Sequence, residues 1–186
     1  GESLALSTVV PAASLSADKV SWIPLIAGLA AIRSLSAIGL RDATLKWPND
    51  VRVGEKKLAG ILCRTSPSPL VVVGVGINLF FEAEPPVPHA TAIGEHVRFS
   101  PSLPDWWASN FLLELQRLTE GEWESSSRAV GEVMDTLGRR VEVTSVDGAQ
   151  WSGDAQRLGG SGSLIVQDAE GREREVVAAD VEHLYQ

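Results

Sequence analysis

Between Leu45 and Leu62 the chain reads LKWPNDVRVGEKKLAGIL, and two interruptions inside that run limit what it can fold into. Trp47-Pro48-Asn49 breaks an extended segment, because proline fixes φ and removes a backbone donor while asparagine favours turns. Gly54-Glu55 breaks it again, after Val51 and Val53 have alternated with Arg52. The pattern predicts a strand, a corner and a hairpin, with Lys57 to Leu62 returning as the second hairpin strand. Such a hairpin brings Asn49, Asp50 and Lys57 near one another.

The flanking chain supplies layers for this hairpin. Leu4, Leu6, Thr8 and Val10 alternate with small residues and stop at Pro11, which predicts a strand. Trp22, Leu25, Ile26, Leu29, Ile32 and Leu35 recur at helical spacing, with Ser21 as the expected N-cap, Pro24 in the first turn and Gly39 as the stop. Apolar or small residues surround much of that helix, so it should lie buried on a sheet. Leu70 to Leu79, LVVVGVGINL, reads as a central strand buried on both faces, whose glycines mark close approach by a ligand or another backbone, with Asn78 at its rim. Residues 82–90 form a proline-rich surface loop.

Two helices are expected next, Leu103 to Thr119 and Glu122 to Leu137, on either side of Gly121. From Glu82 to Asp135 the chain carries ten acids against three bases, and this part reads as scaffold. After Gly138, turn signals at Asp147-Gly148, Gly159 to Gly162 and Glu170-Gly171 divide about fifty residues into four or five short strands, the pattern of a small SH3-like barrel. The expected division is residues 1–136 and 137–186.

Composition excludes several functions. With 24 acidic against 16 basic residues the formal charge is −8, which argues against a nucleic-acid or anionic-membrane binder, since those depend on a basic footprint. Locally the sign reverses, with six bases against three acids between Arg41 and Arg64, so a small anion could find its counter-charge there. The single Cys63 allows no internal disulfide and no cysteine-cluster metal site, which fits a reducing cytoplasm. No apolar run approaches the roughly 18–20 residues that span a bilayer. GVGINL lacks the third glycine of a dinucleotide fingerprint, and GxxxxGK[ST] is absent. His89, His96 and His183 lie apart, without metal-ligand spacing, and read as surface imidazoles.

Two readings stand for each charged residue of the hairpin. Lys57 could belong to a solvated tip, or sit at the mouth of a buried strand, where Ala59-Gly60 leave backbone bare for a ligand and the ammonium neutralises a carboxylate or an α-phosphate. Asp50 could cap its own turn, or orient an incoming amine and take its proton.

Lys46-Trp47-Pro48-Asn49-Asp50, then Lys57-Leu58-Ala59-Gly60-Ile61-Leu62 after six residues, then Gly74-Val75-Gly76-Ile77-Asn78, resembles the catalytic domain of the biotin–protein ligases. The resemblance covers nearly the whole chain, including the Trp22-to-Leu40 helix and the stretch beyond Leu137. It implies an α+β fold, a mixed β-sheet packed with helices in the class II synthetase-like manner of biotin and lipoate ligases, followed by the SH3-like barrel. It implies activation of biotin by ATP with Mg²⁺ to biotinyl-5′-adenylate, then transfer to a lysine of the biotin carboxyl carrier domain of acetyl-CoA carboxylase. By motif, Lys57 would contact the biotin carboxylate and the adenylate phosphate, and Asp50 would face the acceptor lysine. Gly60 would leave room beside biotin, Gly76 and Ile77 would line the floor, and Asn78 would hold the acyl-phosphate region. Asn49 would belong to the substrate site, and Trp47 and Lys46 would shape and charge its wall.

The expected partners exclude nucleic acid and membrane, and leave room for a homodimer. The family's upstream Ser-Thr-Asn biotin contact and Gly-Arg-rich adenylate loop do not occur in this sequence, so the expectation is an N-terminally truncated ligase with impaired activity alone. A position often acidic in relatives is Arg64 here. A lipoate or octanoyl transferase, and a carrier-docking module without chemistry, are the rival readings.

Overall fold

Five strands bury one face against helices and leave the other face largely open. The structure, a computed structural model, describes residues 2–85 and 87–184. The strands are β1 (Ser3–Pro11), β2 (Ala43–Lys46), β3 (Asp50–Val53), β4 (Lys56–Thr65) and β5 (Leu70–Asn78), in the spatial order β1-β5-β4-β3-β2. All pairings between them are antiparallel. The expected mixed sheet is corrected on this point: β2 to β5 follow one another through tight turns and short loops, and β1 pairs antiparallel with β5; parallel pairing survives among the described residues as isolated bridges, Leu45 to Met134 and Lys57 to Ala90.

In β5, Val71, Val73, Val75 and Ile77 are buried while Val72 and Gly76 are exposed. The expectation of a strand covered on both faces is therefore corrected. Its glycines, not a second layer, made the run look unbroken in its apolarity.

The covering layer is α2 (Ile23–Ala37), buried almost all round from Ile23 to Leu35. It is preceded by the short α1 (Ala17–Ser21), whose N-cap is Ser16. Ser21 is consequently the last residue of α1 and not a cap; its hydroxyl donates to the Ala17 carbonyl. Pro24 does sit in the first turn of α2, and Gly39 takes a positive φ just beyond its end. Next come α3 (Leu103–Glu120), which buries Trp107, Phe111, Leu115 and Leu118, and α4 (Trp123–Val133). The last helix stops four residues short of the expected Leu137 because the following chain is drawn to the edge of β2, where the Asp135 amide donates to the Leu45 carbonyl at 2.9 Å.

The C-terminal strands are β6 (Arg140–Ser145), β7 (Gln150–Leu158), β8 (Leu164–Asp168), β9 (Glu173–Val176) and β10 (Ala179–His183), ordered β10-β6-β7-β8-β9 and antiparallel throughout. All three expected turns fall between these strands. Pro86 of the proline-rich loop, and Tyr185 at the end of the last expected strand, lie outside the described residues. Among the described residues no helix is long and apolar enough to cross a membrane.

Two indoles hold the second sheet to the first part of the chain. Trp22 donates to the Gly160 carbonyl at 2.8 Å and Trp47 donates to the Gly162 carbonyl at 3.0 Å, both in the turn between β7 and β8. Gly162 has φ +76, and an added Cβ would stand 3.2 Å from Leu25 and Trp22, so only glycine allows so close an approach.

Candidate active site

The corner at Trp47-Pro48-Asn49 joins β2 to β3 with Lys46 opposite Asp50, and its Trp47–Pro48 bond is cis. Asn49 ties it to β4: its side-chain amide donates to the Ile61 carbonyl at 2.8 Å, and the Ile61 amide donates back to the Asn49 carbonyl at 2.9 Å. Asn49 is thus occupied in holding the corner.

A bulge aims the lysine. Counting back from Gly60, strict alternation would turn Lys57 to the buried side with Ala59. The β3–β4 register slips between Val51 and Arg52, pairing Val51 with Ala59 but Arg52 with Lys57, so Leu58 is the extra residue and enters the core. Lys57 then lies over Gly60 on the open face, and its Nζ is 2.6 Å from Asp50 Oδ1. A Cβ at Gly60 would be 3.3 Å from Lys57 Cε and Nζ, tighter than usual packing, so the missing side chain makes room for the lysine as well as for a ligand.

The Lys57 backbone is clamped from the far side. Its amide donates to the His89 carbonyl at 2.7 Å, and its carbonyl accepts from the Thr91 amide at 2.9 Å. Asn78 secures this strap by donating to the Thr91 carbonyl at 3.0 Å.

Asp50, Gly60, Gly76 and Ala5 follow one another across β3, β4, β5 and β1. Nothing lies within 4 Å of a Cβ added at Gly76. The result is a bare backbone floor with a cation and a carboxylate at one end. A cavity of about 320 Å³ stands on it, lined by Lys57, Gly60, Gly76, Asn78, Val87 and Ala90 among others. A second, of about 360 Å³, adjoins it through Lys57 and Val87 and adds Lys46, Asp50, Arg52, Glu55, His89 and Glu182. A larger cavity of about 530 Å³ between β1 and α3 has Glu120 as its one titratable lining residue, which gives it little chemistry.

Several expected site residues stand elsewhere. Ile77 is fully buried beneath the floor, its side chain on the helix side. Trp47 is 2% exposed and forms no wall, because its indole is turned toward Gly162. Lys46 does reach the second cavity, paired with Glu182 of β10 at 2.9 Å. Cys63 is half-buried, and burial pushes its thiol up to about 12, which removes it as a nucleophile at neutral pH.

Sequence reasoning also missed a buried polar cluster beside the site. Arg52 Nη1 lies 3.0 Å from His183 Nδ1 and 3.7 Å from Asp135 Oδ2, and His183 Nε2 lies 3.1 Å from Thr136 Oγ1. His183 had read as a surface imidazole; it is 6% exposed because β10 packs against this end of the first sheet. Desolvation lowers its pKa to about 4; Asp135 opposes that shift, and Arg52, Arg139 and Lys46 reinforce it. No spacing signal marks the cluster, whose members come from distant parts of the chain.

Comparison with known proteins follows the same lines. Residues 2–78 match the model of the Biotin/lipoate A/B protein ligase family. The chain is 35% identical over 173 residues to the biotin--[acetyl-CoA-carboxylase] ligase of Mycobacterium tuberculosis, covering 88% of this chain and 62% of that protein. It therefore spans about three-fifths of that relative's length. The crystal structure of biotin protein ligase from Aquifex aeolicus superposes with a TM-score of 0.82 at 23% identity, covering 98% of this chain and 83% of that one. The Aquifex enzyme in complex with biotin and ATP gives 0.76 at 22% identity, covering 100% and 79%. The chain is thus similar along most of its length to a biotin--[acetyl-CoA-carboxylase] ligase, its residues 2–78 match the Biotin/lipoate A/B protein ligase model, and it has the fold of the Aquifex biotin protein ligase.

Proposed function

We propose that the chain serves a biotin–[acetyl-CoA-carboxylase] ligase reaction, forming biotinyl-5′-adenylate from biotin and ATP and passing the biotinyl group to a carrier-domain lysine. The observation that carries this reading is Lys57 Nζ held 2.6 Å from Asp50, above a floor from which Gly60 and Gly76 project no side chain. In the first step a biotin carboxylate oxygen attacks the α-phosphorus and pyrophosphate leaves. Lys57 draws the two anions together and stabilises the charge that grows between them. Mg²⁺ in this reading is carried by the triphosphate oxygens.

In the second step the carrier lysine Nζ attacks the acyl carbon, AMP leaves, and the proton shed by the amine passes to Asp50. Gly60 and Gly76 let the adenylate lie against backbone, and Asn78 borders it at the rim. Ile77, Asn49 and Trp47 act by support: Ile77 under the floor, Asn49 at the corner, Trp47 through its bond to Gly162. Lys46, in the second cavity, adds positive charge on the side from which the phosphates or the carrier approach.

The test is pyrophosphate release by the natural full-length protein with ATP and Mg²⁺, offering biotin or lipoate, with a biotin carboxyl carrier domain present. Biotin-dependent release followed by a biotinyl mass gain on one carrier lysine is expected. Release with lipoate alone, or a carrier that binds and is never acylated, would overturn the reading.

A further inference from the structure

Asp50 hangs from a short corner whose two ends are both tied to one side chain on the last strand. Upstream, the Trp47 amide donates to Thr136 Oγ1 at 2.9 Å. Thr136 is fully buried, and the same oxygen lies 3.1 Å from His183 Nε2. Downstream, Arg52, on the same face of β3 as Asp50, reaches His183 Nδ1 at 3.0 Å. A guanidinium can only donate, so Nδ1 must be the acceptor. The proton therefore sits on Nε2, and the imidazole donates to Thr136. One neutral ring, in a single tautomer, closes a loop around Trp47-Pro48-Asn49-Asp50.

We propose that His183 is a positioning residue for the reaction: it bridges Thr136 to Arg52 and so fixes the corner from which Asp50 meets Lys57. The second sheet then contributes to the chemistry without touching the reacting atoms. The ring's charged neighbours are Arg52 on β3, Asp135 and Arg139 between α4 and β6, and Lys46 on β2. Arg52 also pairs with Asp135, and Asp135 with Arg139, so the ring is one member of a network that holds β3, the α4–β6 link and β10 together.

This inference rests on the ligase reading above, and its test separates the two. His183→Leu removes both bonds at similar volume, while His183→Gln keeps one acceptor and one donor. In the natural full-length protein, biotin-dependent pyrophosphate release by His183→Leu should fall roughly tenfold in kcat with KM for biotin little changed, the cost of leaving two buried groups unmatched. His183→Gln should recover most of that loss. Thr136→Val should lower kcat similarly, and combining it with His183→Leu should add little, since both break one path. Should the leucine variant fail to fold, the glutamine and valine variants decide.

A leucine or valine variant that folds and keeps the original kcat, or a glutamine variant as poor as leucine, would overturn the proposal. A second readout needs no turnover: in ligand-free protein the Asp50 carboxyl and Lys57 ammonium resonances should move in His183→Leu and return in His183→Gln. Unmoved resonances would sink the coupling. If the unaltered protein releases no biotin-dependent pyrophosphate, the ligase reading fails and the resonances still judge His183.

Discussion

Asp50 and Arg52 leave β3 two residues apart on the same face, and their surroundings differ sharply. Asp50 meets Lys57, whose side chain is half exposed, at the edge of a cleft with a glycine floor. Arg52 is buried, paired with Asp135, and bonded to His183. Leaving a charge buried without its partner is costly, so the second arrangement is suited to holding geometry. The first is half exposed and opens onto a cavity above the glycine floor, the arrangement the proposed reading needs. On the proposed reading, reactive and anchoring charge are divided along one four-residue strand.

The sharpest way to break this contrast is to remove one buried charge. Asp135→Asn should cost about 3–5 kcal/mol of stability in urea unfolding, because it removes the carboxylate shared by Arg52 and Arg139 in a largely buried network. A loss no larger than that of a surface substitution would mean the cluster does not anchor the sheets.

The pH response should come from the anchoring side. Burial holds His183 below its ordinary value of 6.5, to about 4, so the unfolded chain binds this proton more readily than the folded one. Its contribution is intact above the unfolded value and is lost as pH falls through the folded one. Unfolding midpoints of the natural protein should therefore decline more steeply between those values than midpoints of His183→Gln.

A change on the cleft side should leave stability alone. Gly76→Ala places a methyl where nothing lies within 4 Å, so the unliganded protein should tolerate it while biotin binding weakens about tenfold or more through lost floor space. Calorimetric titration with biotin checks this, and unchanged affinity would remove Gly76 from the floor. Smaller again is Trp47→Phe, which gives up the bond to Gly162 and should cost about 1 kcal/mol in thermal unfolding.

How much of this was legible in the sequence depended on distance along the chain. The corner, the turn at Gly54-Glu55 and the strand returning from Lys57 are local, and turn chemistry with alternation reads them directly. The second sheet's strands were legible for the same reason. Other features were not local. Trp47 read as a cleft wall because it adjoins charged residues, while its partner Gly162 lies 115 positions on. His183 read as a surface imidazole because neither Arg52 nor Thr136 is near it in sequence. The bulge at Leu58 was equally invisible: a single slip of register aims Lys57, and the run KKLAGIL carries no mark of it. In β5, glycines on the open face hid the period-two pattern that would have revealed one covered and one bare side.

The division between reactive and anchoring charge is tested most directly by Lys57→Met in the natural full-length protein, with two quantities measured on the same sample. Biotin-dependent pyrophosphate release should fall by ~10²–10³, the usual cost of removing one donor to developing charge. The urea unfolding free energy should change by less than about 0.5 kcal/mol, as for other partly exposed ion pairs. A variant that loses stability while still releasing pyrophosphate at the original rate would contradict the assignment and place Lys57 among the anchors.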